Sequence, residues 1–444
     1  MNRPRVVHEG IQESRDSTTA LAALEAELFL PPMWIQMDRI KKETAVRIRT
    51  GPTFAIPKLM ITERTPQQRF YGSVAGAWES RRAFVREPWR APPKVSIEDR
   101  DAAEDTHLQA IAFENPAPLI IYTDGSGYEG KVGAAAQIDT TREGSSFLQS
   151  QMGTLETATV YGAEHRGLEM AMELIWKRAR DNLTQVVHMP RVVVFSDSQA
   201  ALSALRRPRM PSGQCFLHST LKTLYILTNA GVDIEFRWIP AHVGIFGNEE
   251  IDKLAKEAAT STGRAADRDT TQDRAIILGA AVKARIRKES KEAWEKEWRR
   301  TKTAKATRRL IDLPNKKTLE YWQKKRKATT SVMMQLRTGK AAVAAYLAKI
   351  NARDTPRCEC GLGNQSVRHV LLECELWIDE RRAMSLKLCE KGFNQLTLDV
   401  LLAKEEASDI VADFIFATGV LGQFHAVDPE ATGREPADVA DTGD

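Results

Sequence analysis

"LIIYTDGSG", residues 119–127, is a strand-like apolar run that stops on Asp124 and then turns. Asp–Gly is a common hairpin turn, so a purely conformational reading is at hand. A second stretch repeats the arrangement: "RVVVFSDSQAAL", residues 191–202, places Asp197 after another run of buried character. One such aspartate is a turn residue; two suggest a site. Working outward, "KVGAAAQID" and "SSFLQSQM" read as two more strands of a meander, separated by short Gly-containing or polar turns. A long helix is expected over about 157–180, helices near 198–206 and 214–229, a strand in "VDIEFRWI", and a helix over about 248–261 with Asn248 as its N-cap. This order describes an α/β fold, a mixed five-stranded sheet flanked by helices.

The helices carry carboxylates in unusual places. Val160, Gly167, Leu168, Ala171, Leu174 and Ile175 fall on one helical face, and Glu164 sits among them. A helical Glu is ordinarily solvent-exposed, and a lone carboxylate on an apolar face is costly to bury. In the last helix Ile251, Leu254, Ala255 and Ala258 form the stripe, and Asp252 borders it; an exposed helix charge is the plain alternative. Asp197 could equally be a helix N-cap, with Ser198 as its rival. Taken together, two strands deliver Asp124 and Asp197 to their C-terminal ends, where open sheets collect ligands. Two helices aim Glu164 and Asp252 at the same edge. Such a group cannot stay ionised without compensation, which hard divalent cations with oxygen ligands supply. Two Mg²⁺ ions about 3.5–4 Å apart are a known way to cleave a phosphodiester in line.

"YTDGS", "AEHRGLEMA", "VFSDSQAAL" and "WIPAHVGIFGNEEIDKLAKEAA", in that order, resemble the successive motifs of the type 1 ribonuclease H domain over about residues 117–262. The resemblance implies that Asp124, Glu164, Asp197 and Asp252 are the catalytic carboxylates that bind Mg²⁺, with Mn²⁺ as the alternative ion. It implies that His242 assists proton handling and product release, and that Ser126 and Thr159 contact the substrate. The implied partner is an RNA/DNA hybrid, recognised through 2′-hydroxyls and cut in its RNA strand to leave a 3′-hydroxyl and a 5′-phosphate. Val160 and Tyr161 depart from the pattern, which usually has polar asparagines there. "RRPRM", 206–210, stands in for part of the family's basic substrate-binding element or is a solvated loop.

Outside this segment, residues 283–327 hold 18 Lys and Arg against 6 Asp and Glu, a net of +12. That block is either a solvated helix face or a polyanion site in which Trp294, Trp298 and Trp322 stack on bases. Cys358, Cys360, His369 and Cys374 offer three thiols and an imidazole, a sufficient set for structural Zn²⁺; the alternative is three reduced cysteines in a helical region. "SVRHVLLEC" reads as a helix with His369 and Cys374 near one face. "MWIQMDRIKKETAVRIR" shows Ile35, Met37, Ile40, Ala45 and Ile48 at helical spacing, and "APPKVSIEDRDAAEDTHLQAIAFENPAP" reads as a linker with a short helix.

With "EAWEKEWRRTKTAKATRRL" and "MMQLRTGKAAVAAYLAKI", these segments resemble the C-terminal part of fungal-type non-LTR retrotransposon polyproteins. The polymerase is missing, since no Asp–Asp dipeptide occurs, and a separate polymerase chain becomes an implied partner. The expected organisation is an N-terminal helical segment and linker at 1–112, a ribonuclease H domain at 113–265, a basic helical region at 266–345, a helical region with the Cys/His cluster at 346–426, and a disordered acidic tail at 427–444. The polar N-terminus shows no secretory signal, and "IVADFIFATGVLGQF", broken by Asp413, is too short to span a bilayer. Five cysteines are too few and too clustered for a disulfide framework, which favours an intracellular, nuclear or cytoplasmic setting without membrane contact. Against the nuclease stands a second reading, a nucleic-acid-binding remnant without turnover. An integrase or resolvase on the same fold fits less well, lacking the "AHVG…D" block.

Overall fold

The computed structural model describes residues 20–51, 77–81, 87, 89–112, 114, 116–139, 146–185, 189–209, 211–261 and 276–424. The expected acidic tail at 427–444 lies outside them. Helices α1 (Leu21–Glu27) and α2 (Met33–Arg49), strands β1 (Ala77–Trp78) and β2 (Lys94–Ser96) and helix α3 (Arg100–Ala112) come first. Strands β3 (Leu119–Tyr128), β4 (Lys131–Ile138) and β5 (Phe147–Thr154) follow, then α4 (Val160–Gln185), β6 (Val192–Ser196), α5 (Gln199–Arg206), α6 (Gln214–Asn229), β7 (Ile234–Trp238) and α7 (Phe246–Thr260). After β8 (Ile276–Ile277) the chain is helical: α8 (Gly279–Arg300), α9 (Lys305–Leu310), α10 (Thr318–Trp322), α11 (Lys327–Thr338), α12 (Ala344–Lys349), α13 (Ile378–Glu390), α14 (Leu398–Ala403) and α15 (Glu405–Thr418). None of the described helices is long and apolar enough to cross a membrane.

The chain divides into two compact units, Met37–Glu289 and a second made of Met1–Gln36 with Ser290–Asp444. The first contains a six-stranded mixed sheet in the order β2-β7-β6-β3-β4-β5. β2, β7, β6 and β3 are mutually parallel, and β4 and β5 are antiparallel additions. Apolar runs such as Val192–Phe195 suit strands covered on both faces. One face buries Ile121, Ala134, Val194 and Phe236 with Leu168 of α4, Leu202 of α5 and Leu221 of α6. The other buries Ile120, Tyr122, Ala135, Val193 and Phe195 with Ile251 and Ala255 of α7 and Ala110 of α3.

Two expectations about this sheet are corrected. The five strands gain a sixth, because Lys94–Ser96, inside the segment read as a linker, pairs with β7. Three residues carry too little alternation to signal a strand, and a partner distant in sequence supplies the pairing. Nor does the chain turn at Asp124–Gly125. β3 continues to Tyr128, pairing with β4 throughout, and the turn falls on Glu129 and Gly130, whose φ values of 49° and 75° fit a tight hairpin.

In α2 the buried side is Ile35, Ala45 and Val46, whereas Met37, Ile40 and Ile48 are exposed. The second unit is a helical bundle whose core includes Trp322, Val332, Leu336, Leu371, Leu401, Val411 and Ile415. Within it Arg337 pairs with Glu27 at 2.9 Å, both side chains being almost wholly buried. The indole N–H of Trp322 donates to the Glu27 carbonyl. The three tryptophans of the basic block are not available to bases: Trp294, Trp298 and Trp322 are 4%, 2% and 1% exposed. Trp294 and Trp298, four apart on α8, and Trp322 on α10 are the large apolar residues of a charged sequence, and they turn inward.

Candidate active site

The parallel ladder between β3 and β6 ends with Thr123 opposite Ser196. The next residue on each strand is an aspartate, so Asp124 and Asp197 emerge side by side where β6 stops and β3 runs on. Side chains alternate along a strand, which puts Asp124 on the same sheet face as Tyr122, the face covered by α7. Ser198, not Asp197, caps α5: its hydroxyl accepts from the Ala201 N–H. The indole N–H of Trp238 donates to the Asp197 carbonyl at 2.9 Å and fixes its backbone.

Glu164 arrives on α4, which packs on the opposite face of the sheet. Gly125 makes the approach possible. A Cβ there would lie 2.2 Å from the Glu164 nitrogen and 2.5 Å from the Ala163 carbonyl carbon, so any side chain would push the helix away. Gly167 extends the close contact, with its Cβ position 3.2 Å from the carbonyl oxygens of Asp124 and Ala135. Gly167, Leu168, Ala171, Leu174 and Ile175 are buried with Glu164, but Val160, expected on that face, is 40% exposed. The structure thus brings Asp124, Glu164 and Asp197 together, with one oxygen from each inside a 4.8 Å cluster.

Burial pushes the Asp124 carboxyl up to about 7, and Asp197 and Asp252 add to the rise, against the Gly125 N–H and Lys256. Burial, then Asp124 and Asp197, hold Glu164 well above the usual carboxylate range. Burial also raises Asp197, opposed first by a hydrogen bond from the Asn248 side chain and in part by His242. Asp124 Oδ2 and Glu164 Oε2 are buried with no hydrogen-bond partner. Unpartnered carboxyl oxygens on two members of a three-carboxyl cluster fit a hard divalent cation.

Asp252 stands beside this triad and outside its 4.8 Å group. Its Oδ2 pairs with Lys256 at 2.5 Å, one turn along α7. His242 lies exposed in the loop before α7 with φ of 56°, a left-handed backbone uncommon for non-glycine residues but tolerated by histidine. Ser126 is buried on β3, one residue pair beyond Asp124. Thr159 caps α4, its hydroxyl accepting from the Gly162 N–H at 3.0 Å, which leaves its O–H free to donate. Arg206, Arg207 and Arg209 are exposed at the end of α5; Met210 of that motif lies outside the described residues.

The sequence pattern puts Asn248 at an N-cap, whereas Ile245 occupies that position and Asn248 is buried against Asp197. A polar residue two positions inside the helix start, three before the apolar Ile251, was the available signal. Lys256 and Trp238 carried no local signal, since each acts through a residue that only the fold brings near.

A second cluster lies in the helical unit. Cys358, Cys360, His369 and Cys374 each place one ligand atom inside a 4.8 Å group. Cys360 Sγ is 3.2 Å from His369 Nε2, and the sulfurs of Cys358 and Cys374 are 3.6 Å apart. The expected helix is a wide π-type turn over His369–Glu373, closed by the Cys374 N–H donating to the His369 carbonyl at 2.7 Å. In an α-helix residues five apart diverge; the wider turn brings them to one side. Glu373 approaches His369 Nδ1 at 3.7 Å, and Arg381 donates to the carbonyls of Val370, Leu371 and Cys374. Three thiols and an imidazole with orienting partners fit a structural zinc ion.

Residues 116–260 match the family model for RNase H. About a third of the chain is similar to solved structures. LC11-RNase H1 in complex with an RNA/DNA hybrid shares 20% identity over 32% of this chain and 96% of its own, at a TM-score of 0.25. RNase H1 from the halophilic archaeon Halobacterium salinarum NRC-1 shares 20% over 32% and 96%, at 0.24. A foamy viral protease-reverse transcriptase in complex with dsDNA shares 18% over 32% and 94%, at 0.24. At such identities and scores these likenesses carry no argument of their own; the family match and the carboxylate geometry do.

Proposed function

We propose that this protein is a metal-dependent endonuclease that cuts the RNA strand of RNA/DNA hybrids. The observation that carries the reading is the cluster of Asp124, Glu164 and the half-buried Asp197, the first two buried and each with an orphaned oxygen, inside a segment that matches RNase H. In this reading the carboxylates would hold two Mg²⁺ ions, which would supply positive charge for activating the attacking water and stabilising the departing oxygen. Asp124, Glu164 and Asp197 hold that charge, and Asp252 completes the set once it leaves Lys256. Asn248 favours the anionic form of Asp197 against its burial, and Trp238 holds its backbone in place. Thr159 donates to a phosphate oxygen of the bound strand. His242, on its exposed loop, carries a proton to the leaving 3′-oxygen.

The test is cleavage of a labelled hybrid by purified protein with Mg²⁺ and with EDTA, beside Asp197→Asn. Mg²⁺-dependent cutting of the RNA strand alone, lost in the variant, is expected. Intact hybrid with folded wild-type protein would overturn the proposal. Val160 and Tyr161 favour a second reading, a remnant that holds nucleic acid without turnover, because they replace polar residues next to Thr159. Salt-sensitive hybrid binding without cleavage would select it.

The segments outside 116–260 support a wider reading: the chain derives from the C-terminal part of a non-LTR retrotransposon polyprotein and acts with a separate polymerase chain in the nucleus or cytoplasm. In the same reading Cys358, Cys360, His369 and Cys374 hold a structural Zn²⁺.

A further inference from the structure

Residues 299–327 hold 12 Lys and Arg against 2 Asp and Glu. What the fold adds is their orientation. Trp298 forms a small core with Ala23, Ala26, Ala304 and Ile311, and its indole N–H donates to the carbonyls of Ile311 and Asp312. That contact ties the end of α8 to α9 and leaves the opposite side of both to the charges. Arg299 and Arg300 follow Trp298 outward, Lys305 opposes the buried Thr307, and Lys302, Lys316 and Lys317 stand in the connecting turns; all six are exposed.

Other cations of the block are committed within the bundle. Arg309 pairs with Asp399 at 2.8 Å and Arg326 with Asp413 at 2.6 Å, while Lys325 lies between Glu405 and Asp409. The six just named meet no carboxylate among the described residues. Like charges close in sequence and without internal carboxylate partners repel one another, a repulsion that an external polyanion would relieve.

The character of that polyanion follows from what the surface lacks. Among the described residues from 290 to 349 no large hydrophobic side chain is exposed. An anionic membrane surface held by an amphipathic helix needs apolar anchors, and none is present there. Base stacking within this block would need exposed aromatics, and its three tryptophans, Trp294, Trp298 and Trp322, are in the core. What remains is recognition of a regular row of phosphates by charge alone, as in binding to a duplex backbone. The choice of a nucleic acid over an acidic protein rests on the nuclease reading of the same chain.

We propose that residues 299–317 form a docking surface for duplex nucleic acid, outside the carboxylate site, that grips the phosphate backbone without reading sequence or stacking on bases. The probe is a short labelled DNA duplex, bound to the full chain in EDTA and titrated with NaCl. Neutralising Arg299, Arg300, Lys302 and Lys305 to Gln together should weaken binding about tenfold or more. It should also flatten the salt dependence by about 0.9 in log–log slope for each phosphate that is no longer neutralised. A second variant, Lys316→Glu with Lys317→Glu, should act in the same direction if the first fails to fold.

A control with Lys349, Arg382, Lys387 and Lys391 changed to Gln removes the same net charge elsewhere in the unit. Unchanged affinity and slope in the test variants, or equal losses in the control, would overturn the proposal. The two readings fail separately. Duplex binding through this surface with no hybrid cleavage sinks the nuclease alone; hybrid cleavage with duplex binding indifferent to these cations sinks the surface alone.

Discussion

Asp124 shows what the site costs the fold. Its carboxyl is raised from an ordinary 3.8 to about 7, chiefly by burial and then by Asp197 and Asp252. Between those two values the native state holds a proton that the unfolded chain has released, so stability falls as pH rises through this window. In EDTA the thermal midpoint of the wild type should therefore drop from mildly acidic pH toward pH 8. Asp124→Asn should flatten the dependence and be more stable near pH 8 by roughly 1–3 kcal/mol. Saturating Mg²⁺ should reverse the order, since it stabilises only the protein that binds it. Melting curves across pH with and without the ion check this; a variant no more stable than wild type in EDTA would contradict it. Glu164 is raised by burial and then by Asp124 and Asp197, so the substitution also relieves its repulsion by Asp124.

At the scale of elements, the informative feature is the π-type turn over His369–Glu373. It exists where His369 and Cys374 must face the Cys358–Cys360 loop, and Arg381 holds its carbonyls from α13. Such turns are uncommon and are held by tertiary contacts or a ligand. Protein isolated without chelator should carry one zinc per chain by elemental analysis, and Cys374→Ser should lose it together with several degrees of the helical unit's melting temperature. Zinc-free, fully stable wild-type protein would show that the turn stands by packing alone. The same scale explains Asn248: its place two residues inside the start of α7 is set by that helix beginning at Phe246, two residues earlier than the sequence pattern suggested.

At the scale of the molecule, the N-terminal helix α1 belongs with residues far along the chain. Glu27, wholly buried, pairs with Arg337, which also donates to the Leu402 carbonyl and lies over the Tyr321 ring. Removing one member of a buried pair leaves the other charge uncompensated, at about 3–5 kcal/mol. Glu27→Gln should lower the denaturant midpoint of the helical unit accordingly while leaving the unfolding of the sheet-containing unit unchanged. A single shifted transition for the whole chain would show instead that the two units unfold together.

The order of strands and helices was legible in the sequence because hydrophobic period is a local property, and so was the oddity of Glu164, a carboxylate on an apolar face. The family resemblance rested on residue identities in order, which needs no geometry. Everything that depends on meeting across the chain was decided by the tertiary structure. The register of β3 on β6 sets Asp124 beside Asp197, and the missing side chain of Gly125 lets α4 carry Glu164 to them. β7 turns Lys94–Ser96 from linker into strand, and Trp298 packing turns the aromatics of a basic block inward and its cations outward. The physical reason is the same throughout. A residue's pattern fixes what it can bury, but which partner buries it is chosen only when the whole chain has folded.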